Sequence, residues 1–209
     1  MPAPAHPIRL YHYPLSGHSH RVQLFLSLLG LPFEVVDVDL RQGQQKQPEF
    51  LARNVFGQVP VIEDGDMTLA DSNAILVYLA TKYDDSGRWL PRDPAAAGEV
   101  QRWLSVAAGL LVQGPGAARL VTVFGASFDH DRAKAVAARL YGVLDPYLAT
   151  RDVLVGTAPT IADIALYTYT VVAPEGGVSL DPYPHVRAWL SRIEALPGFV
   201  PMTRSGVAA

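Results

Sequence analysis

The sequence predicts a two-part chain of the α/β plus all-α class, a βαβαββα unit followed by a helical bundle, and three observations carry that reading. Two stretches of strand length flank an amphipathic segment near the start, an Asp64-Gly65 dipeptide separates two short apolar runs, and no strand-like stretch follows Pro94. Apolar residues recurring every three or four positions mark helices, whereas strict alternation marks strands.

Ile8 to Tyr13 alternates Ile8, Leu10 and His12 against Arg9, Tyr11 and Tyr13, a short strand with two unlike faces. After the loop Pro14 to His18, Val22, Phe25, Leu26 and Leu29 recur at helical spacing, which places a helix over Arg21 to Leu29 ended by Gly30. Phe33 to Leu40 is β-branched and of strand length, so the two strands should run parallel through a right-handed crossover. Arg41 to Gln47 reads as loop, and Pro48 to Arg53 as one or two helical turns. Val59 to Glu63 and Met67 to Ala70 then form an antiparallel hairpin around Asp64-Gly65, with both central residues of the turn expected at positive φ. Ser72 to Tyr83 closes the unit as an amphipathic helix.

Gly87, Pro91 and Pro94 punctuate the charged stretch that follows, so the expected boundaries are a first domain over 1–83, a linker over 84–94 and an all-helical domain over 95–209. Helices are expected over Ala95 to Val112, Asp129 to Leu148, Thr160 to Val172 and Tyr183 to Ala195, with breaks at Gly114-Pro115-Gly116, Gly156 and Gly176-Gly177. Thr160 and Asp163 have the spacing of a capping box, with Asp in place of Glu or Gln.

Composition narrows function. Of 209 residues, 49% are hydrophobic and 18% charged, which places the chain among packed globular proteins. Seventeen basic against twenty acidic side chains give a formal charge of -3, and no dense Lys or Arg run exists to hold a phosphate backbone, so nucleic acid is not an expected partner. Met1 to Pro7 lacks the features of a signal peptide, and no segment reads as the roughly 20 apolar residues of a membrane span, so no membrane partner and a cytoplasmic location are expected. With no cysteine, disulfides, thiolate nucleophiles and cysteine-based metal sites are excluded. His18 and His20, two apart with no third ligand nearby, read as loop and site-lining residues, and no metal is expected.

Two stretches downstream of Ser16 carry a family resemblance: Ala52 to Gly65, with Gln58-Val59-Pro60 inside it, and Leu69 to Ile75, with Asp71-Ser72. Together with the βαβαββα-then-helical layout they resemble the serine-type cytosolic glutathione transferases, bacterial and similar to the phi, theta and nu members. The resemblance runs nearly end to end and implies a thioredoxin-like first domain that binds glutathione as co-substrate, with no other cofactor. It further implies a homodimer whose paired first domains complete the glutathione site, and a role in detoxification by conjugating a small hydrophobic electrophile. Other glutathione-dependent reactions, such as peroxide reduction, dehalogenation or isomerisation, share the layout, as does a non-catalytic binding protein.

Each implied contact has chemistry behind it and a plainer alternative beside it. Pro60 cannot donate a ladder hydrogen bond; the resemblance implies a cis Val59–Pro60 bond, with the Val59 N–H and C=O pairing an extended peptide, whereas Pro60 could simply begin an edge strand. Asp71-Ser72 opens a helix, where backbone N–H groups and the dipole favour a carboxylate and Asp71 can pair an ammonium, as glutathione's γ-glutamyl zwitterion requires; plain capping is the alternative. Asp71 stands where many relatives carry the longer Glu, and Val55 where many carry proline. Gln45, Lys46 and Gln58 match positions that reach the glycyl carboxylate and the peptide amide in similar transferases, or else are solvated loop residues.

Ser16, between the first strand and the first helix, has the spacing of the catalytic serine of these transferases, with Ser19 and Tyr11 as rivals and Ser19 also a candidate helix cap. A free thiol ionises near ~8.5, and holding glutathione as thiolate at neutral pH requires lowering that by roughly two units, ~2.7 kcal/mol. A hydroxyl donating to charged sulfur supplies ~1.5 to 3 kcal/mol and a helix N-terminus ~0.3 to 1 kcal/mol, so no base is needed. The electrophile is expected in an apolar pocket lined by Leu15, Trp103, Val106, Leu110 and Tyr167, residues that would otherwise be helix-helix core.

Overall fold

The computed structural model describes residues 3–207. Two compact units divide the chain, one of residues 1–89 with 197–203, the other of 90–196 with 204–209. Both the 84–94 linker and the 95–209 domain of the sequence reading are thus redrawn: the first unit ends inside the former and reclaims seven residues from the latter. Trp89 is buried, its ring edge-on to Phe25 at 5.2 Å, and its backbone N–H donates to Asp84 Oδ2 at 2.8 Å, which fastens the stretch after residue 83 to the first unit.

The first unit runs β1 (Ile8–His12), α1 (Gly17–Leu28), β2 (Phe33–Asp37), a 3-10 turn (Gln44–Lys46), α2 (Pro48–Leu51), β3 (Val61–Asp64), β4 (Met67–Ala70) and α3 (Ser72–Tyr83). The sheet order is β2-β1-β3-β4, with β1 and β2 parallel and the other neighbours antiparallel. This is the thioredoxin-like arrangement. Ile8, Leu10, Val22, Phe25, Leu26, Ile62, Ile75 and Leu79 are buried, and each such side chain contributes roughly 1.5–3 kcal/mol. Tyr11, Val38, Phe50 and Val61 form a separate cluster, with Phe50 supplied by α2.

Three local details differ from the sequence reading. The strand expected from Val59 begins at Val61, because Pro60 has no N–H to give the ladder and pairing opens with Val61 opposite Ala70. Asp64 pairs with Met67, so the hairpin loop is Gly65-Asp66, and of that pair only Gly65 has positive φ, at 60°, the pattern of a type II′ turn. Helix α1 starts a turn earlier than expected, at Gly17, because Ser16 caps it.

Asp64 ties the hairpin to α3. Its Oδ2 accepts from Tyr78 Oη at 2.7 Å, Lys82 Nζ at 2.8 Å and Tyr83 Oη at 2.7 Å. Burial pushes the carboxyl's pKa up, but the hydrogen bonds from Lys82, Tyr83 and Tyr78 outweigh it and hold the group below its ordinary value. A depressed carboxylate contributes stability that is present above its unfolded pKa, near ~3.9, and is lost as pH falls through the folded value. Between pH 5 and pH 3 the melting temperature of the wild type is therefore expected to drop further than that of Asp64→Asn; parallel curves in a thermal melt would refute this role.

The second unit comprises α4 (Pro94–Val106), a π-helical segment (Ala107–Gly116), α5 (Ala117–Phe124), α6 (His130–Leu148), α7 (Ile161–Val171), a 3-10 turn (Ala173–Gly176) and α8 (Pro184–Glu194). Among the described residues it holds no strand. The expected break at Gly114-Pro115-Gly116 is absent, since the chain stays helical from Pro94 to Phe124 by widening into the π form. Gly114 has a packing reason: a Cβ there would lie 2.8 Å from the backbone nitrogen of Ala137 on α6. Continuity also corrects the reading that no segment is apolar enough to span a bilayer, because this 31-residue helix contains an 18-residue window of mean hydropathy 1.3. Within the unit it packs on α6 and α7.

Candidate active site

A cavity of about 420 Å³ opens in the first unit, lined by His18, Asn54, Phe56, Gln58, Val59, Pro60, Ala70, Asp71 and Ser72. The loop before β3 and the junction of β4 with α3 supply most of its wall, and the first turn of α1 supplies the rest. Five predicted contacts, Gln58, Val59, Pro60, Asp71 and Ser72, thus meet in one place. The Val59–Pro60 peptide is cis.

Asp71 caps α3 through Oδ1, which accepts the N–H groups of Asn73 and Ala74 at 2.9 Å each. Its φ of 72° is the one positive value among described non-glycine residues, a conformation costing roughly 1–3 kcal/mol that the surroundings must hold in place. Ser72 is buried, and its Oγ accepts from Arg21 Nη1 at 2.8 Å and lies 3.1 Å from His18 Nδ1. Burial, and then the neighbouring Arg21 guanidinium, push the His18 imidazole down to about 3, so it is neutral at physiological pH. His20 turns elsewhere, its Nε2 2.8 Å from the carbonyl of Val200, so the two histidines do not converge.

Ser16 is the N-cap of α1, its Oγ accepting the Ser19 N–H at 3.2 Å. It stands two residues before His18 and is not itself in the cavity wall. A serine hydroxyl has two lone pairs and one hydrogen, so accepting at the cap leaves the O–H to be donated. Leu15 beside it is half-buried.

Capping, weighed in the sequence for Ser19, thus falls to Ser16. Ser19 is fully buried, with its Oγ accepting the Tyr13 N–H at 3.2 Å. Tyr11 gives its hydroxyl to Glu63 Oε2 at 2.9 Å, and the Arg53 guanidinium lies 4.8 Å from the centre of its ring.

Gln45 and Lys46 lie on the 3-10 turn outside the cavity wall, but Lys46 Nζ donates to the carbonyl of Phe56, a wall residue, at 3.2 Å. Gly57 lets that turn approach, since a Cβ would lie 2.7 Å from the Gln45 carbonyl. Asn54, which is not among the candidates read from the sequence, shapes the loop: Nδ2 donates to the Gln58 carbonyl at 2.8 Å and Oδ1 accepts from the Phe56 N–H at 3.1 Å.

In the second unit, Trp103 and Tyr167 are buried, while Val106 and Leu110 remain partly exposed. Trp103 lies edge-on to Tyr147 at 5.1 Å, and Tyr167 donates its hydroxyl to Glu194 at 3.0 Å.

Comparison with known proteins meets this geometry. Residues 6–81 match the family described as "Glutathione S-transferase, N-terminal domain", and residues 126–197 that described as "Glutathione S-transferase, C-terminal domain". Glutathione S-transferase 3 of Zea mays is 38% identical over 205 residues, covering 92% of this chain and 91% of the maize protein. Among solved structures, a glutathione S-transferase from Pseudomonas fluorescens superposes with a TM-score of 0.89 at 33% identity, covering 95% of this chain and all of that one. A glutathione transferase homolog from Drosophila mojavensis, solved with bound glutathione, gives 0.83 at 27% identity over 91% of this chain and 89% of its own.

Proposed function

Since the chain belongs to the glutathione S-transferase family and is a glutathione transferase, we propose that Ser16 stabilises the glutathione thiolate and that the cavity orients the tripeptide for attack on an apolar electrophile. The observation that supports this most is the meeting of Gln58, Val59, Pro60, Asp71 and Ser72 in one cavity wall. In this reading the Val59 backbone pairs the cysteinyl unit. The γ-glutamyl carboxylate takes the Ser72 hydroxyl and the Ser72 N–H, the first of α3, since Asp71 already holds those of Asn73 and Ala74. Asp71 offers its second carboxylate oxygen to the γ-glutamyl ammonium. Gln58 reaches the peptide amide, and Gln45 and Lys46 serve the glycyl carboxylate at the rim.

The thiolate's hydrogen-bond donor is the Ser16 O–H, backed by the positive end of α1. The bound peptide brings its thiol into reach of that hydroxyl, and proximity supplies the remainder of the acceleration. In the second unit the partly exposed Val106 and Leu110 are the residues offered to the electrophile, while Trp103 and Tyr167 are buried in packing. Consumption of reduced glutathione fits a detoxifying cytoplasmic protein, since that compartment holds the reduced pool. A homodimer is supported by Val55 and Phe56, exposed at 78% and 74%, an apolar pair at the edge of the site.

The test is isothermal titration of glutathione into the purified chain, a turnover assay with a generic aromatic halide, and sedimentation of the same preparation. Binding, conjugation and a mass of two chains are expected. Absence of glutathione binding would overturn the assignment of the cavity.

A further inference from the structure

A buried cation stands directly behind the cavity wall. Arg21, on α1, has no exposed surface and is not among the residues lining the cavity, yet its Nη1 reaches two groups at the start of α3, Ser72 Oγ and Asn73 Oδ1, each at 2.8 Å. The same nitrogen is 3.4 Å from His18 Nδ1. An Nη nitrogen carries two hydrogens. The two short bonds use both, so the third contact is secondary and the firm link is from Arg21 to Ser72 and Asn73.

That link decides which way the Ser72 hydroxyl points. Once Arg21 fills a lone pair on Oγ, the single hydroxyl hydrogen has to leave on another side, where His18 Nδ1 and the cavity lie. A carboxylate entering the cavity at the α3 N-terminus, a stronger acceptor than the neutral imidazole of His18, then draws that O–H to itself, polarised by a guanidinium held out of water. Charge-assisted hydrogen bonds of this kind are roughly twice as strong as neutral ones, and burial keeps solvent from screening the charge.

We propose that Arg21 is a positioning residue for glutathione, which sets the grip on the γ-glutamyl α-carboxylate through Ser72 without touching the ligand. The inference rests on the proposed place of that carboxylate at Ser72. Asn73, bonded to the same Nη1, holds the guanidinium in register with the helix start, where the Ser72 N–H completes the anion site.

The experiment compares two peptides, glutathione and its analogue lacking only the α-carboxylate, 4-aminobutyryl-cysteinyl-glycine, by titration and turnover. The proteins are wild type, Arg21→Gln, Arg21→Lys and Ser72→Ala. Wild type is expected to prefer glutathione. In Arg21→Gln the glutathione Kd should rise about tenfold, the size of one charge-assisted contact. The analogue's Kd and the kcat at saturation should stay within about twofold, and Arg21→Lys should recover part of the preference.

Equal loss on both peptides would reduce Arg21 to packing and overturn the proposal, as would a preference unchanged from wild type. If Arg21→Gln does not fold, Ser72→Ala decides: the proposal requires it to cut the preference about tenfold, and a preference equal to that of wild type overturns it. A wild type that binds glutathione and the analogue equally removes the carboxylate site and this inference together, while leaving Ser16 untouched. A wild type that binds neither overturns the cavity assignment as well.

Discussion

Ser16→Ala is expected to bind glutathione within about twofold of wild type while conjugating it roughly 10- to 100-fold more slowly at neutral pH. A hydroxyl given to a charged acceptor contributes about 1.5–3 kcal/mol, and each ~1.4 kcal/mol is a factor of ten in rate. The sign of the pH dependence follows. A donor that prefers the ionised thiol lowers its pKa from the free value near ~8.5, so wild type holds thiolate at pH 7. Without the hydroxyl the pKa climbs back. The variant's rate should therefore keep rising between about pH 7 and 9, where that of wild type has levelled.

The same substitution removes the cap of α1, a loss of roughly 0.5–2 kcal/mol in stability, so melting temperature is measured alongside rate. Ser19→Ala and Tyr11→Phe are the comparators. Ser19 is fully buried and the Tyr11 hydroxyl is given to Glu63, so both should retain the wild-type rate and pH profile. A rate that survives Ser16→Ala and falls in Tyr11→Phe would move the thiolate donor to the tyrosine.

The physical difference between what the sequence disclosed and what it hid is one of range. Gln58-Val59-Pro60 and Asp71-Ser72 were readable because each is a contiguous run whose chemistry is local: a proline without an N–H, a carboxylate at a helix start. The βαβαββα order was readable for the same reason, since alternation, caps and turn residues act over a few positions. Arg21 and Ser72 are 51 residues apart, and nothing in either segment announces that a buried guanidinium joins them. Ser16 shows a second limit. One hydroxyl can cap with its lone pairs and donate with its hydrogen, so a pattern that assigns one use per residue gave the cap to Ser19 and started the helix late.

Gly114-Pro115-Gly116 shows a third limit. Gly and Pro are the poorest helix formers, and their run of three reads as a break. Here propensity yields to packing, because the close approach of α6 at Ala137 needs a residue without a Cβ and the widened helix accommodates the proline. The same widening takes Leu110 off the 3.6-residue register of Trp103 and Val106, since the π form begins at Ala107.

The capping box at Thr160 is the one polar motif of the second unit that the sequence identified, and the structure gives it a larger structural role than capping. Asp163 is fully buried. Its Oδ2 accepts the Thr160 N–H at 2.8 Å and lies 3.2 Å from the Thr160 hydroxyl, while Oδ1 accepts the Leu154 N–H and the Trp189 indole N–H, each at 3.0 Å. One carboxylate thus joins the loop before α7, the start of α7 and the middle of α8. Burial pushes its pKa up, and these donors oppose the rise by favouring the ionised form.

Asp163→Ala strands the Leu154, Thr160 and Trp189 N–H groups without an acceptor in a site closed to water. Each buried donor left unsatisfied costs about 1–3 kcal/mol, so a loss on the order of 4 kcal/mol or more is expected, a large share of the total stability of a domain. Asp163→Asn should cost less, because the amide oxygen still accepts on one side, although its NH2 faces a backbone or indole N–H on the other. Urea unfolding followed by intrinsic tryptophan fluorescence measures both variants. The expected order of midpoints is wild type, then Asn, then Ala. An alanine variant with the wild-type midpoint would mean that water reaches these donors, and that α7 and α8 are held by their apolar faces alone.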